Sequence, residues 1–147
     1  MSRPIRVLHV SVIDDSLKYL LKSQLEYLGH QGYEIHAMSS PGRWRAELEA
    51  AGITFHAAPL LRRFSLLADL RAILTMMRVF RRQRIDIVHT HVAKAALLGQ
   101  ISARLAGEPV RAAIVHAGGI DATVAAAGVA LDRLLETVSN ILCALLY

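Results

Sequence analysis

The sequence predicts an α/β fold, a doubly wound parallel sheet covered by helices on both faces, and three observations point there. Short β-branched apolar runs alternate with longer stretches of helical periodicity along the whole chain. Those runs are continuously apolar rather than alternating, as expected of strands buried on both faces. The chain is 54% hydrophobic but only 5% aromatic, which suits Ala- and Leu-rich helices on a buried sheet better than an aromatic-rich sandwich. At 147 residues, a single domain spanning 1–147 can bury a core of its own.

Residues 5–13 read as the first strand, followed by a helix over 17–28 with apolar residues at 17, 20, 21, 25 and 28. Gly29 and Gly32 end that helix. Residues 33–38 form a second strand, and Ser39-Ser40-Pro41 opens a short helix that runs to Ala51, with Gly52 as its stop. Residues 53–58 form a third strand. From 66 to 84 the apolar positions 66, 70, 73, 77 and 80 make one stripe, predicted to cover the sheet, while Arg71, Thr75, Arg78 and Arg82 make the opposite one. A fourth strand over 86–90, an alanine-rich helix over 94–106, a fifth strand over 110–115 and a last helix over 131–145 complete the alternation. Right-handed βαβ crossovers then place the chain's ligands beyond the carboxyl ends of the strands.

The net charge of +5 is concentrated. Seven arginines at 62, 63, 71, 78, 81, 82 and 84 face only Asp69 between them, a local +6 that leaves −1 for the rest. Anionic lipid headgroups attract such residues by roughly 1 kcal/mol each, so Arg71, Arg78 and Arg82 are candidate membrane contacts; a solvated outer helix face is the competing reading. Nucleic acid is not expected, because no stacking aromatics are interleaved with the arginines. The lone Cys143 has no disulfide partner within the chain, no secretory leader is recognisable, and Asp132, Arg133 and Glu136 interrupt the apolar carboxyl end. A cytoplasmic protein, peripheral on the inner membrane face, is expected.

Three groups of residues could carry chemistry. Asp14-Asp15-Ser16, with Gly32-Tyr33-Glu34, resembles the opening of a receiver domain. The third and fifth strand ends, Phe55-His56-Ala57-Ala58 and Val115-His116-Ala117, lack the aspartate and lysine such a domain needs. Caps on the first helix explain the two carboxylates better than a ligand role. No glycines follow the first strand, which disfavours a dinucleotide, and no cofactor is expected. His89 and His91 flank Thr90, and His116 ends the fifth strand. Three histidines suit zinc, but spacing identifies no further ligand and no metal is expected.

The block Asp86-Ile87-Val88-His89-Thr90-His91, then Lys94-Ala95-Ala96-Leu97-Leu98-Gly99 and Ala103-Arg104-Leu105-Ala106-Gly107-Glu108-Pro109, resembles the amino-terminal domains of family 4 retaining glycosyltransferases. Arg6-Val7-Leu8-His9-Val10, Gly32-Tyr33-Glu34-Ile35, Ala51-Gly52-Ile53-Thr54-Phe55 with Pro59, and His116-Ala117-Gly118-Gly119 agree with that register. The chain departs from the pattern in having no glycine-rich loop after its first strand and Ala95-Ala96 after Lys94.

The resemblance implies a Rossmann-like half of a GT-B fold, the acceptor-side half, with the donor-binding carboxyl-terminal domain absent. It implies transfer of a sugar from a nucleotide-sugar to a lipid-linked or growing glycan in surface polysaccharide assembly, with this chain inactive alone. His116 is then the catalytic candidate, since imidazole can accept a hydroxyl proton or neutralise phosphate charge. Asp14, Asp15, His91, Lys94, Gly118 and Gly119 are the acceptor-binding candidates. A non-catalytic binding module or a receiver-like signalling module is the alternative.

Overall fold

The computed structural model describes residues 3–107 and 113–115. Five strands, β1 Arg6–Val10, β2 Glu34–Ser39, β3 Thr54–Ala57, β4 Ile87–Thr90 and β5 Ala113–Val115, form one parallel sheet in the order β3-β2-β1-β4-β5. The chain winds outward from β1 to β3, then crosses back to β4 on the other side of β1. The carboxyl ends of β1 and β4 therefore flank a topological switch point, where such sheets open a ligand crevice.

The helices are α1 Asp14–Ser16, which runs through a π-turn at Leu17–Leu21 into α2 Lys22–His30; α3 Arg45–Ala50; α4 Leu66–Gln83; and α5 Ala93–Ala106. Alternation along each strand divides the core into two layers. Leu8, Val10, Met38 and Val88 pack with Ala72, Met76, Phe80, Ala95 and Leu98 of α4 and α5. Val7, Ile35, Ala37 and Phe55 pack on the opposite face with Leu17, Leu25 and Leu48.

The first helix starts three residues earlier than its periodicity indicates, and its wide π-turn shifts the register. Leu17 and Leu25 are buried, whereas Leu20 is 77% exposed. Gly32 ends the helical segment at φ 91°, a conformation that costs other residues Cβ strain. No glycine follows α4, so Arg84 itself takes the left-handed cap at φ 48°.

The predicted stripe of α4 is displaced. Ala72, Met76 and Phe80 are its buried residues, with Ile73, Met77 and Val79 packed beside them, while Leu66 is 94% and Leu70 54% exposed. The helix is turned by roughly a quarter turn from the stripe of bulkiest residues. This face packs closely on the alanine-rich α5, where Ser102 Oγ reaches the Ile73 carbonyl at 3.4 Å and Met76 Sδ at 3.5 Å. Leu66, Leu67, Leu70 and Leu74 are left on the surface beside the arginines.

Candidate functional site at the carboxyl edge of the sheet

His9 on β1 and His89 on β4 are register partners in adjacent parallel strands. His91 follows β4, and its N–H donates to the Val10 carbonyl at 3.0 Å, so the ladder continues and alternation returns His91 to the face of His89. Three imidazoles thus gather at the switch point. Ring centroids are 4.9 Å apart for His9 and His89, 5.3 Å for His9 and His91, and 4.2 Å for His89 and His91. His9 Nδ1 lies 3.0 Å from His91 Nε2. His9 is fully buried, and burial, reinforced by the neighbouring His89 and His91, pushes it down to about 3. Among the described residues, His9 Nε2 and the buried Ser11 Oγ have no hydrogen-bond partner.

Asp14 and Asp15 do not cap a helix by side-chain hydrogen bonds. The residue before α1 is Ile13, and both carboxylates instead reach across to the loop after β2. The Trp44 backbone N–H donates to Asp14 Oδ2 and the Trp44 indole N–H to Asp15 Oδ1, each at 2.8 Å. Arg43 stacks over the Trp44 ring at 4.7 Å. Asp14 is 6% exposed, and the loop can lie this close only because residue 42 is glycine: a Cβ there would fall inside the Asp14 carboxylate.

Lys94 is also enclosed, at 8% exposure. Its ammonium donates to the Arg63 carbonyl at 2.6 Å, pairs with Asp69 Oδ1 at 2.6 Å and lies 5.1 Å from the centre of the Phe64 ring. Asp69 Oδ2 accepts the Ser65 N–H at 3.0 Å. Burial pushes the Asp69 carboxyl up, but the hydrogen bonds from Lys94 and Ser65 and the Lys94 charge outweigh it and hold the carboxyl below its usual range. Asp14 and Asp15 thus anchor the loop after β2, and Lys94 the loop before α4. Arg71, Arg78 and Arg82 lie exposed on α4, and His116, Gly118 and Gly119 lie outside the described residues.

Sequence reasoning missed His9, Gly42, Trp44 and Asp69. His9 stands eighty residues from His89, and only the strand order makes them neighbours. A strand-end histidine at the switch point was the signal available.

A second histidine pair lies on the opposite face of the sheet. His36 Nδ1 and His56 Nε2 are 2.9 Å apart with stacked rings, and His36 Nε2 is 3.2 Å from Glu34 Oε1. Burial, with the His36 and Arg45 charges, pushes His56 down to about 4. Burial also lowers His36, against the opposing pull of Glu34. In the unfolded chain both would bind protons near the ordinary value of 6.5. The unfolded state therefore takes up protons first, so stability is complete above that value and falls as pH drops through it towards 4. Between pH 6.5 and 5 the His56 contribution is about 1 kcal/mol after allowing for solvent screening. Thermal melts should show a midpoint that falls by several degrees over that range, and less in His56→Gln. Equal slopes for the two proteins would show that the pair is not the acid-sensitive element.

The fold defines a class, the Rossmann-like doubly wound parallel sheet. The chain belongs to the glycosyl transferase 4-like family, whose model matches residues 9–137. It is similar to the UDP-Gal:alpha-D-GlcNAc-diphosphoundecaprenol alpha-1,3-galactosyltransferase of Escherichia coli, with 27% identity over 122 residues covering 81% of this chain and 32% of that protein. It is also similar to the capsular polysaccharide biosynthesis glycosyltransferase CapM of Staphylococcus aureus, at 27% identity over 106 residues, 72% of this chain and 27% of that one. The chain thus spans about a third of the length of these curated relatives. Among solved structures it resembles Acinetobacter baumannii MurG, with TM-score 0.62 and 20% identity over 83% of this chain and 38% of that one. It also resembles the calicheamicin glycosyltransferase CalG4, with TM-score 0.55 and 15% identity over 82% of this chain and 34% of that one. At those identities the likeness concerns the fold.

Proposed function

We propose that this chain is the acceptor-binding half of a glycosyltransferase that moves a sugar from a nucleotide-sugar to a lipid-linked or growing glycan in surface polysaccharide assembly, and that it is inactive alone. The observation that carries this reading is the family match over residues 9–137 in a chain that spans 32% and 27% of two curated glycosyltransferases. The names of those relatives, one acting on a diphosphoundecaprenol-linked sugar and one in capsular polysaccharide biosynthesis, support the acceptor class. His116 is the proposed catalytic group. His91, Gly118 and Gly119 are the proposed acceptor contacts, while Asp14, Asp15 and Lys94 position the flanking loops that receive the acceptor.

Calorimetry tests the assignment. A short-chain lipid diphosphate-sugar should bind the chain, whereas a panel of UDP- and GDP-sugars should not. Transfer should need a donor-binding half added in trans or joined to the chain, and His116→Ala should then abolish it. Tight nucleotide-sugar binding by this chain without acceptor binding would assign it to the other side of the cleft.

For a lipid-linked acceptor, α4 supplies a surface suited to docking on the inner leaflet. Among the described residues no helix is long and apolar enough to cross a membrane. Leu66, Leu67, Leu70 and Leu74, with Phe64 at 75% exposure, adjoin Arg71, Arg78 and Arg82 on the same exposed half of the helix. The leucines would enter the headgroup boundary while the arginines meet anionic lipid, at roughly 1 kcal/mol each. Affinity for vesicles rich in phosphatidylglycerol should fall at least about tenfold when the three arginines become glutamine, and likewise in Leu66→Ser/Leu70→Ser. Unchanged binding in both variants would remove α4 as the contact.

A further inference from the structure

We propose that His9, His89 and His91 form a binding site for a zinc-class transition-metal dication at the switch point of the sheet. Each residue offers one imidazole nitrogen, and these three atoms all lie within 4.8 Å of one another. Two nitrogens on a tetrahedral zinc ion stand roughly 3.3 Å apart, given Zn–N bonds of about 2.0–2.1 Å. The 3.0 Å separation of His9 Nδ1 and His91 Nε2 already matches that spacing. Small side-chain rotations of the half-buried His89 and His91 would bring the remaining distances to it.

The backbone fixes the carriers. His9 and His89 are paired in the β1–β4 ladder, and the His91 N–H is held by the Val10 carbonyl, so an ion would find its ligands on rigid elements rather than on loops. His9 is wholly enclosed, with its Nδ1 turned to His91. Three imidazoles without carboxylate favour zinc, copper or nickel over magnesium or calcium, and they leave a fourth position open at the ligand-binding edge of the sheet. A bound ion would tie the carboxyl ends of β1 and β4 together and present a Lewis-acidic position there.

The test uses the full chain, without a polyhistidine tag and freed of metal by chelator, in equilibrium dialysis against zinc chloride with elemental analysis. One equivalent should bind with micromolar or tighter affinity, and cobalt in its place should give the intense visible absorption of a four-coordinate ion. His91→Asn, or His89→Gln if that variant does not fold, should weaken zinc binding at least about tenfold. Either should also lessen the rise in melting temperature that a fixed zinc concentration gives the parent chain. His56→Gln, which alters the other histidine pair, should bind as the parent does. Substoichiometric uptake by the parent, equal uptake by the His91 and His89 variants, or loss of uptake in His56→Gln would each overturn the site.

Discussion

Lys94→Met is expected to destabilise the chain by about 3 kcal/mol, because it removes one partner of an enclosed ion pair and leaves the other charge in place. The Asp69 side chain is 13% exposed and keeps the Ser65 N–H, which puts the cost at the lower end of what breaking such pairs entails. The loop 61–65 should loosen as well, since the ammonium also holds the Arg63 carbonyl. Urea unfolding of Lys94→Met and of Lys94→Met/Asp69→Asn separates the causes. Asparagine keeps the bond to Ser65 but carries no charge, so the double variant should regain at least about 1 kcal/mol. No recovery would mean that Lys94 acts through the Arg63 carbonyl and packing on Phe64 and not through Asp69.

Gly42→Ala should cost about 2–3 kcal/mol, from overpacking and from loss of the bond between the Trp44 N–H and a buried carboxylate. Any side chain at residue 42 must displace Asp14, and with it the anchor of the 40–44 loop. A melting-temperature loss of about 6–10 °C is expected for a chain of this size. In an Asp14→Ala background the same substitution should cost far less, because the carboxylate it collides with is gone. Equal costs in both backgrounds would show that the clash is not the cause. Acceptor affinity should fall in Gly42→Ala if the loop bounds the acceptor, so calorimetry on this variant also bears on the proposed function.

The motif that carried the family resemblance was legible in the sequence, yet much of it serves architecture. Asp86 accepts the Arg6 N–H at 2.9 Å and both Arg3 guanidinium nitrogens at 2.7 and 2.8 Å, pinning the amino end of β1, the edge opposite the candidate site. A Cβ on Gly99 would stand 3.2 Å from Thr90 Cγ2, so that glycine sets how closely α5 lies on β4. His89 and His91 are the part of the block that faces the switch point. Lys94, expected to contact an acceptor, spends its ammonium on the loop before α4.

The sequence by itself determined the order and kind of the elements described, the parallel sheet and the edge at which to look for a ligand. Those follow from local periodicity, from helix stops such as Gly32, and from the handedness of βαβ crossovers. Only the tertiary structure decided which face of α4 is buried, because tight packing against α5 favoured Ala72 and Met76 over the bulkier leucines. It alone brought His9 beside His89 and His91, and Asp14 beneath Gly42. Those neighbours lie far apart along the chain, and their contact depends on strand order and loop closure, which no local pattern encodes.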